Sequence, residues 1–282
     1  MTVVRPTPTK PQDSTSKSIA WPMRSSEPDG PPTLCASVQD SGTGVPIVFL
    51  HGLVGTNEHW DAVAHRVRDR SRCLQLEVPL LDLDHDDCSV EGVTAITARF
   101  LADYVREPAV LAGNSFGGHV ALRLALERPE LVKALVLTGS SGLFERTLFG
   151  AFVMRPSRAW VANRISELFF DPANVWESDI ERAFSALTHR SCVKAMVRLS
   201  KSAKSDHLGE RLGRVSKPTL LLWGKNDLVT PPEIAEEFHS LIKGSRLQWI
   251  DRCGHAPMME RPDEFATALR SFVAELDAAR PA

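Results

Sequence analysis

What is missing from the 282-residue sequence narrows its class first. Cysteine is sparse, and Cys35, Cys73, Cys88, Cys192 and Cys253 form an odd, scattered set. No two of them have CxxC spacing, so the pattern offers neither a zinc site nor a dithiol redox motif. The expectation is reduced thiols in a cytoplasmic protein. An excess of one charge is also missing. Lys and Arg total 33 against 35 Asp and Glu, a net charge of −2. That balance gives no general attraction to nucleic acid or to acidic membrane surfaces. No apolar run reaches the ~20 residues of a membrane span, and the first residues lack the apolar core of a secretory signal. No internal repeat is visible.

What is present is ordinary globular material. Hydrophobic residues make up 43% and charged residues 24%. A chain of this length can bury a full core as one large domain or one domain with an insertion. Residues 1–32 are an exception. Seven prolines lie among many Ser and Thr, and the segment offers too little apolar surface to offset its ordering entropy, so a disordered tail is expected.

The remainder alternates strands and helices. Val45–Leu50, Arg72–Glu77, Ala109–Gly113 and Leu131–Thr138 are short apolar strands. Asn57–Arg70, a helix capped by Ser89, and Phe116–Arg128 separate them. From 139 to 214 only helical periodicity is found. Strands then resume at Pro218–Trp223 and Arg246–Ile250, with helices at Pro232–Ile242 and Pro262–Leu276. This order predicts a mostly parallel α/β sheet covered on both faces, a core of residues 33–138 and 215–282, and a helical cap over the sheet's carboxyl edge. That edge is where such sheets bind ligands.

Three residues are expected to meet there. Gly113-Asn114-Ser115-Phe116-Gly117 fits G-x-S-x-G between a strand and a helix, the context of a nucleophile elbow. A serine hydroxyl needs a base, and the base needs an orienting acid. Asp227 follows one later strand and His255 the next, so the chain order is Ser, Asp, His. His255 would take the Ser115 proton, and Asp227 would hold the ring. Asp206 and Asp251 are rival acids without the matching strand order. The Phe116 N–H and the Leu53 N–H, in His51-Gly52-Leu53-Val54-Gly55, are the expected oxyanion donors. His51 has the wrong chain order for the base and reads as a buried brace for its loop.

HGLVG (51–55), GNSFGG (113–118), WGKND (223–227) and RCGHAPMMERPDEF (252–265) resemble the alpha/beta-hydrolase superfamily over about Leu34 to Val273. Within it, Asn114-Ser115 and Cys253-Gly254-His255 resemble the meta-cleavage-product hydrolases, which cleave a C–C bond in vinylogous diketo acids. Ala256 stands where that family usually has tryptophan. The resemblance implies substrate contacts from Asn114 and from a cap arginine, here Arg190, whose fork suits a carboxylate. Arg190 also belongs to a stripe with Lys194, Arg198, Lys201 and Lys204, and such stripes are often only solvated faces. The cap aromatics Phe144, Phe149, Phe152, Trp160, Phe169 and Phe170 are candidates either for a pocket lining or for core.

The sequence therefore leads to a cofactor-free serine hydrolase acting on a small, partly apolar carbonyl compound. An ester is the first reading and C–C cleavage the second. A non-hydrolytic binder on the same fold is the alternative of another class.

Overall fold

The computed structural model describes residues 17–25, 32–146 and 156–278. Eight strands form one sheet in the order β1-β2-β4-β3-β5-β6-β7-β8. They are β1 (Lys17–Ser25), β2 (Pro32–Ser41), β3 (Val45–Leu50), β4 (Ser71–Glu77), β5 (Ala109–Asn114), β6 (Val132–Thr138), β7 (Thr219–Gly224) and β8 (Arg246–Ile250). β1 and β2 run antiparallel to their neighbours, and β4 through β8 form the parallel part with β3.

The helices are α1 (Asp61–Val67), α2 (Val90–Phe100), α3 (Phe116–Glu127), α4 (Arg158–Ser166), α5 (Glu177–Thr188), α6 (Arg190–Ser205), α7 (Gly209–Leu212), α8 (Pro232–Leu241), α9 (Pro257–Glu260) and α10 (Pro262–Ala278). Strand side chains alternate between two cores. Val48, Leu111, Leu135 and Leu221 pack with α2, α3 and α8. Ile47, Val110, Val136 and Leu220 pack with α1 and α10. Both faces are apolar, which explains why these strands read as continuous apolar runs rather than alternating ones. Ser89 caps α2 by accepting a bond from Gly92 N–H at 2.9 Å.

The tail expected over 1–32 needs a correction. Lys17–Ser25 is an edge strand, paired with β2. Ile19, Trp21 and Met23 alternate inward against exposed Ser18, Ala20 and Pro22. Trp21 meets Phe100 edge-on with centroids 5.4 Å apart, and the Arg99 guanidinium lies 4.7 Å from its ring centre. Proline density hid this strand. An edge strand needs ladder bonds on one side only, so it tolerates Pro22, next to which the register shifts. The other residues of the expected tail, 1–16 and 26–31, lie outside the described residues, and Pro32 begins β2.

The segment between β6 and β7 carries α4 to α7 and no strand among its described residues. It is stitched to the core at the loop after β8. His255 N–H donates to Leu168 O at 2.7 Å. The buried Glu260 carboxylate accepts from Gly254, Phe170 and Asp171 amides at 2.6, 3.0 and 3.2 Å. Burial pushes the Glu260 carboxyl above its ordinary range even against those donors. All five cysteines are free, and burial pushes the Cys73 thiol up to about 12.

Candidate active site

The turn between β5 and α3 forces Ser115 into a backbone of φ 52° and ψ −118°. Few non-glycine residues are held there without a surrounding structure that demands it. The flanking glycines make the turn sterically feasible. A Cβ at Gly117 would sit 2.3 Å from Leu50 O, and one at Gly113 would sit 2.5 Å from Gly117 O. Ser115 therefore stands at the amino end of α3, where amide N–H groups lack helical partners and favour negative charge.

Asp227 follows β7 and His255 follows β8, so both reach the same sheet edge as Ser115. The His255 Nδ1–H donates to Asp227 Oδ2 at 2.8 Å. Asp227 is 1% exposed. Its Oδ1 accepts from the Val229 and Thr230 amides at 2.8 and 3.0 Å, and its Oδ2 accepts from Thr230 Oγ1 at 2.8 Å. Four donors thus hold one buried carboxylate in place. Burial opposes charge on the His255 ring, but the Asp227 carboxylate, with a smaller contribution from Glu145, more than offsets it. The ring's pKa lies above the ordinary histidine value.

Ser115, His255 and Asn114 line a cavity of about 250 Å³. Leu53 lines it too, and a Cβ on the preceding Gly52 would lie 3.4 Å from Ser115 Cβ, so this loop packs against the serine. His51 is buried outside the cavity. Its Nδ1–H donates to Gly52 O at 2.8 Å, and burial holds its pKa below the ordinary value. It acts as the brace that the chain order implied.

Of the two expected substrate contacts, Asn114 is in the cavity wall and Arg190 is not. Asn114 borders the cavity, but its side-chain N–H groups donate to Thr138 O at 3.1 Å and His255 O at 2.9 Å. It ties β5 to β6 and to the histidine loop. Arg190 is exposed at the start of α6 and does not line the cavity. The cavity wall on α6 begins at Met196, six residues or ~9 Å farther along the helix axis. Lys201 and Lys204, from the same basic stripe, do line it, with Arg146.

The wall is mainly aliphatic and thioether rather than aromatic: Ile165, Leu168, Met196, Met258 and Met259 form much of it, and Phe169 is the aromatic contributor from the insert. Phe144 and Phe170 are exposed, Trp160 packs on the core, and Phe149 and Phe152 lie outside the described residues.

Sequence reasoning missed three polar groups at this site. Thr230 cradles Asp227; an Asp followed by Thr at i+3 is a turn signal that could have shown it. His59 Nε2–H donates to Asp179 Oδ1 at 2.9 Å across the cavity wall, linking the loop after β3 to α5. Burial opposes the Asp179 charge, but bonds from His59 and Arg182 hold its carboxyl below the ordinary range. Glu145, a few residues past β6, accepts the Ser115 hydroxyl at 3.4 Å. No local pattern marks either of the last two.

Comparison with known proteins agrees with this architecture. The model of the alpha/beta hydrolase family matches residues 47–268. The pimeloyl-[acyl-carrier protein] methyl ester esterase of Nitrosomonas europaea is 28% identical over 82% of this chain and 96% of its own. The 2-hydroxy-6-oxononadienedioate/2-hydroxy-6-oxononatrienedioate hydrolase of Klebsiella pneumoniae is 29% identical over 87% of this chain and 93% of its own. A solved alpha/beta hydrolase enzyme from the metagenome of Mar Chica lagoon sediments, in Morocco, superimposes with a TM-score of 0.71 at 32% identity, covering 86% of this chain and 96% of that one. With its strand order, its strained elbow and this match, the chain belongs to the alpha/beta hydrolase family of enzymes.

Proposed function

We propose that the protein is a serine hydrolase that cleaves a small, partly apolar carboxylic ester. The observation that carries this reading is the buried His255–Asp227 pair, at 2.8 Å, with His255 and a strained Ser115 lining one cavity. Ser115 Oγ attacks the ester carbonyl as His255 takes its proton. The imidazolium, held by Asp227, then gives that proton to the leaving alkoxide. The Leu53 and Phe116 amides stabilise the oxyanion. Water, activated by His255, releases the acid from the acyl-serine. No step calls for a cofactor. The helical insert acts as a cap, and its apolar wall suits an acyl chain.

The methyl ester esterase relative supports the ester reading. Cleavage of a C–C bond in a diketo acid is the second reading, supported by the Klebsiella relative. Arg190 lies away from the cavity, so a substrate carboxylate would have to meet Arg146, Lys201 or Lys204 instead. The reading is tested by paired turnover of a p-nitrophenyl ester and a 2-hydroxy-6-oxo-dienoate, each with Ser115→Ala beside it. Serine-dependent ester cleavage is expected. Serine-dependent loss of the dienoate alone would establish the second reading. Binding without turnover of either compound would make the chain a binder.

A further inference from the structure

Glu145 has no part in the triad, yet its Oε1 lies 3.4 Å from the nucleophile. It borders the cavity on the segment that follows β6, and that segment is pinned over the acid loop by Arg146 N–H donating to Val229 O at 2.8 Å. Ser115 is its hydrogen-bond partner among the described residues, and the charges that bear on it are the His255 and His119 rings and Asp227. No lysine or arginine pairs with it among the described residues. Burial, the largest influence, pushes its carboxyl above the ordinary range. A half-buried carboxyl in a mainly apolar-walled cavity, with one long bond, has capacity left for a donor.

The bound ester has three directions around its reacting carbon. The carbonyl oxygen faces the Leu53 and Phe116 amides, and the leaving oxygen faces His255. The acyl substituent is left to extend along the cavity, whose lining includes Glu145. An acceptor 3.4 Å from Ser115 Oγ is within reach of a group on the carbon next to the carbonyl.

We infer that Glu145 is a specificity-determining residue that selects esters carrying a hydrogen-bond donor, a hydroxyl or an ammonium group, on the carbon adjacent to the scissile carbonyl. The substrate donor replaces Ser115 as the partner of the Glu145 carboxyl. The Ser115 hydroxyl is then released to bond to His255, so the preferred substrate also aligns the nucleophile. An analogue with methyl in place of hydroxyl shuts water from the half-buried carboxyl without giving it a new partner and is rejected for that reason. This assignment rests on the ester-hydrolase reading above.

The test compares methyl lactate with methyl isobutyrate, in which a methyl replaces the hydroxyl. The readout is the ratio of their kcat/KM values in the native protein, Glu145→Gln and Glu145→Leu. Intrinsic reactivity cancels when ratios are compared between proteins. The lactate preference should fall at least about tenfold in Glu145→Leu, with Glu145→Gln between the two, since its amide oxygen still accepts. The same ratio in all three proteins overturns the inference, and Glu145→Gln alone decides it should the leucine variant not fold. A second arm needs no turnover. Calorimetric affinities of both esters are measured for Ser115→Ala with and without Glu145→Leu. Loss of the lactate preference on adding Glu145→Leu supports the role of Glu145 even if no ester is hydrolysed, an outcome that would sink the hydrolase reading separately. An affinity ratio that Glu145→Leu leaves unchanged overturns the inference.

Discussion

Two histidine–aspartate pairs each place their histidine in the cavity wall, and their geometry is nearly the same. His255 and Asp227 meet at 2.8 Å, His59 and Asp179 at 2.9 Å. Their surroundings differ. Asp227 is held by three further donors from its own turn, and His255 lines the same cavity as Ser115. Asp179 shares its charge with Arg182 and joins an inserted helix to the core. A His–Asp distance therefore does not define a catalytic pair. The pairs also respond oppositely to pH. The raised His255 pKa favours the folded state at low pH, and that contribution is lost as pH rises through the folded value. The depressed Asp179 pKa favours it above the ordinary aspartate value, and that contribution is lost as pH falls through the folded value.

The comparison can be broken most forcefully at His255. Replacing His255 with alanine should lower kcat by several orders of magnitude with the fold intact by circular dichroism, in line with the ~10⁶-fold cost of such deletions elsewhere. A loss as large in His59→Ala would erase the distinction. Asp227→Asn should cost about 10⁴ in kcat. In the native protein kcat/KM should fall on the acid side with a midpoint above the ~6.5 of free histidine, because the base must be neutral. The midpoint should move down in Asp227→Asn, as the charge that raises it is gone. Asp179→Asn should act on the wall rather than the chemistry. It should raise KM more than it lowers kcat and reduce stability by about 1–3 kcal/mol, read from Tm and urea unfolding. The smallest effect is expected at Arg190, where alanine should change kcat and KM less than about twofold, as for other surface positions away from a site.

Much of this site was legible because its signals are local. The G-x-S-x-G turn, the Asp after β7 and the His after β8 are each read within a few residues of a strand end, and parallel topology brings those ends together. The strands from Val45 onward were legible for a related reason, since burial on both faces leaves short apolar runs. The edge strand Lys17–Ser25 was not, because its partner β2 supplies what its proline-containing sequence does not advertise. The distance of Arg190 from the cavity was not legible either. Its residue type was right for a carboxylate, but the helix places it beyond the cavity wall.

By itself, the sequence determined the strands from Val45 onward, the helices between β6 and β7, and the positions of Ser115, Asp227 and His255 just past strand ends, because each depends on contacts short in sequence or on strand order. Only the tertiary structure decided which cations border the cavity, that Asn114 and Glu260 brace the histidine loop, and that Glu145 stands at the nucleophile. Most of those are meetings of segments tens of residues apart, set by how the loops pack over the sheet edge, and no local pattern encodes them.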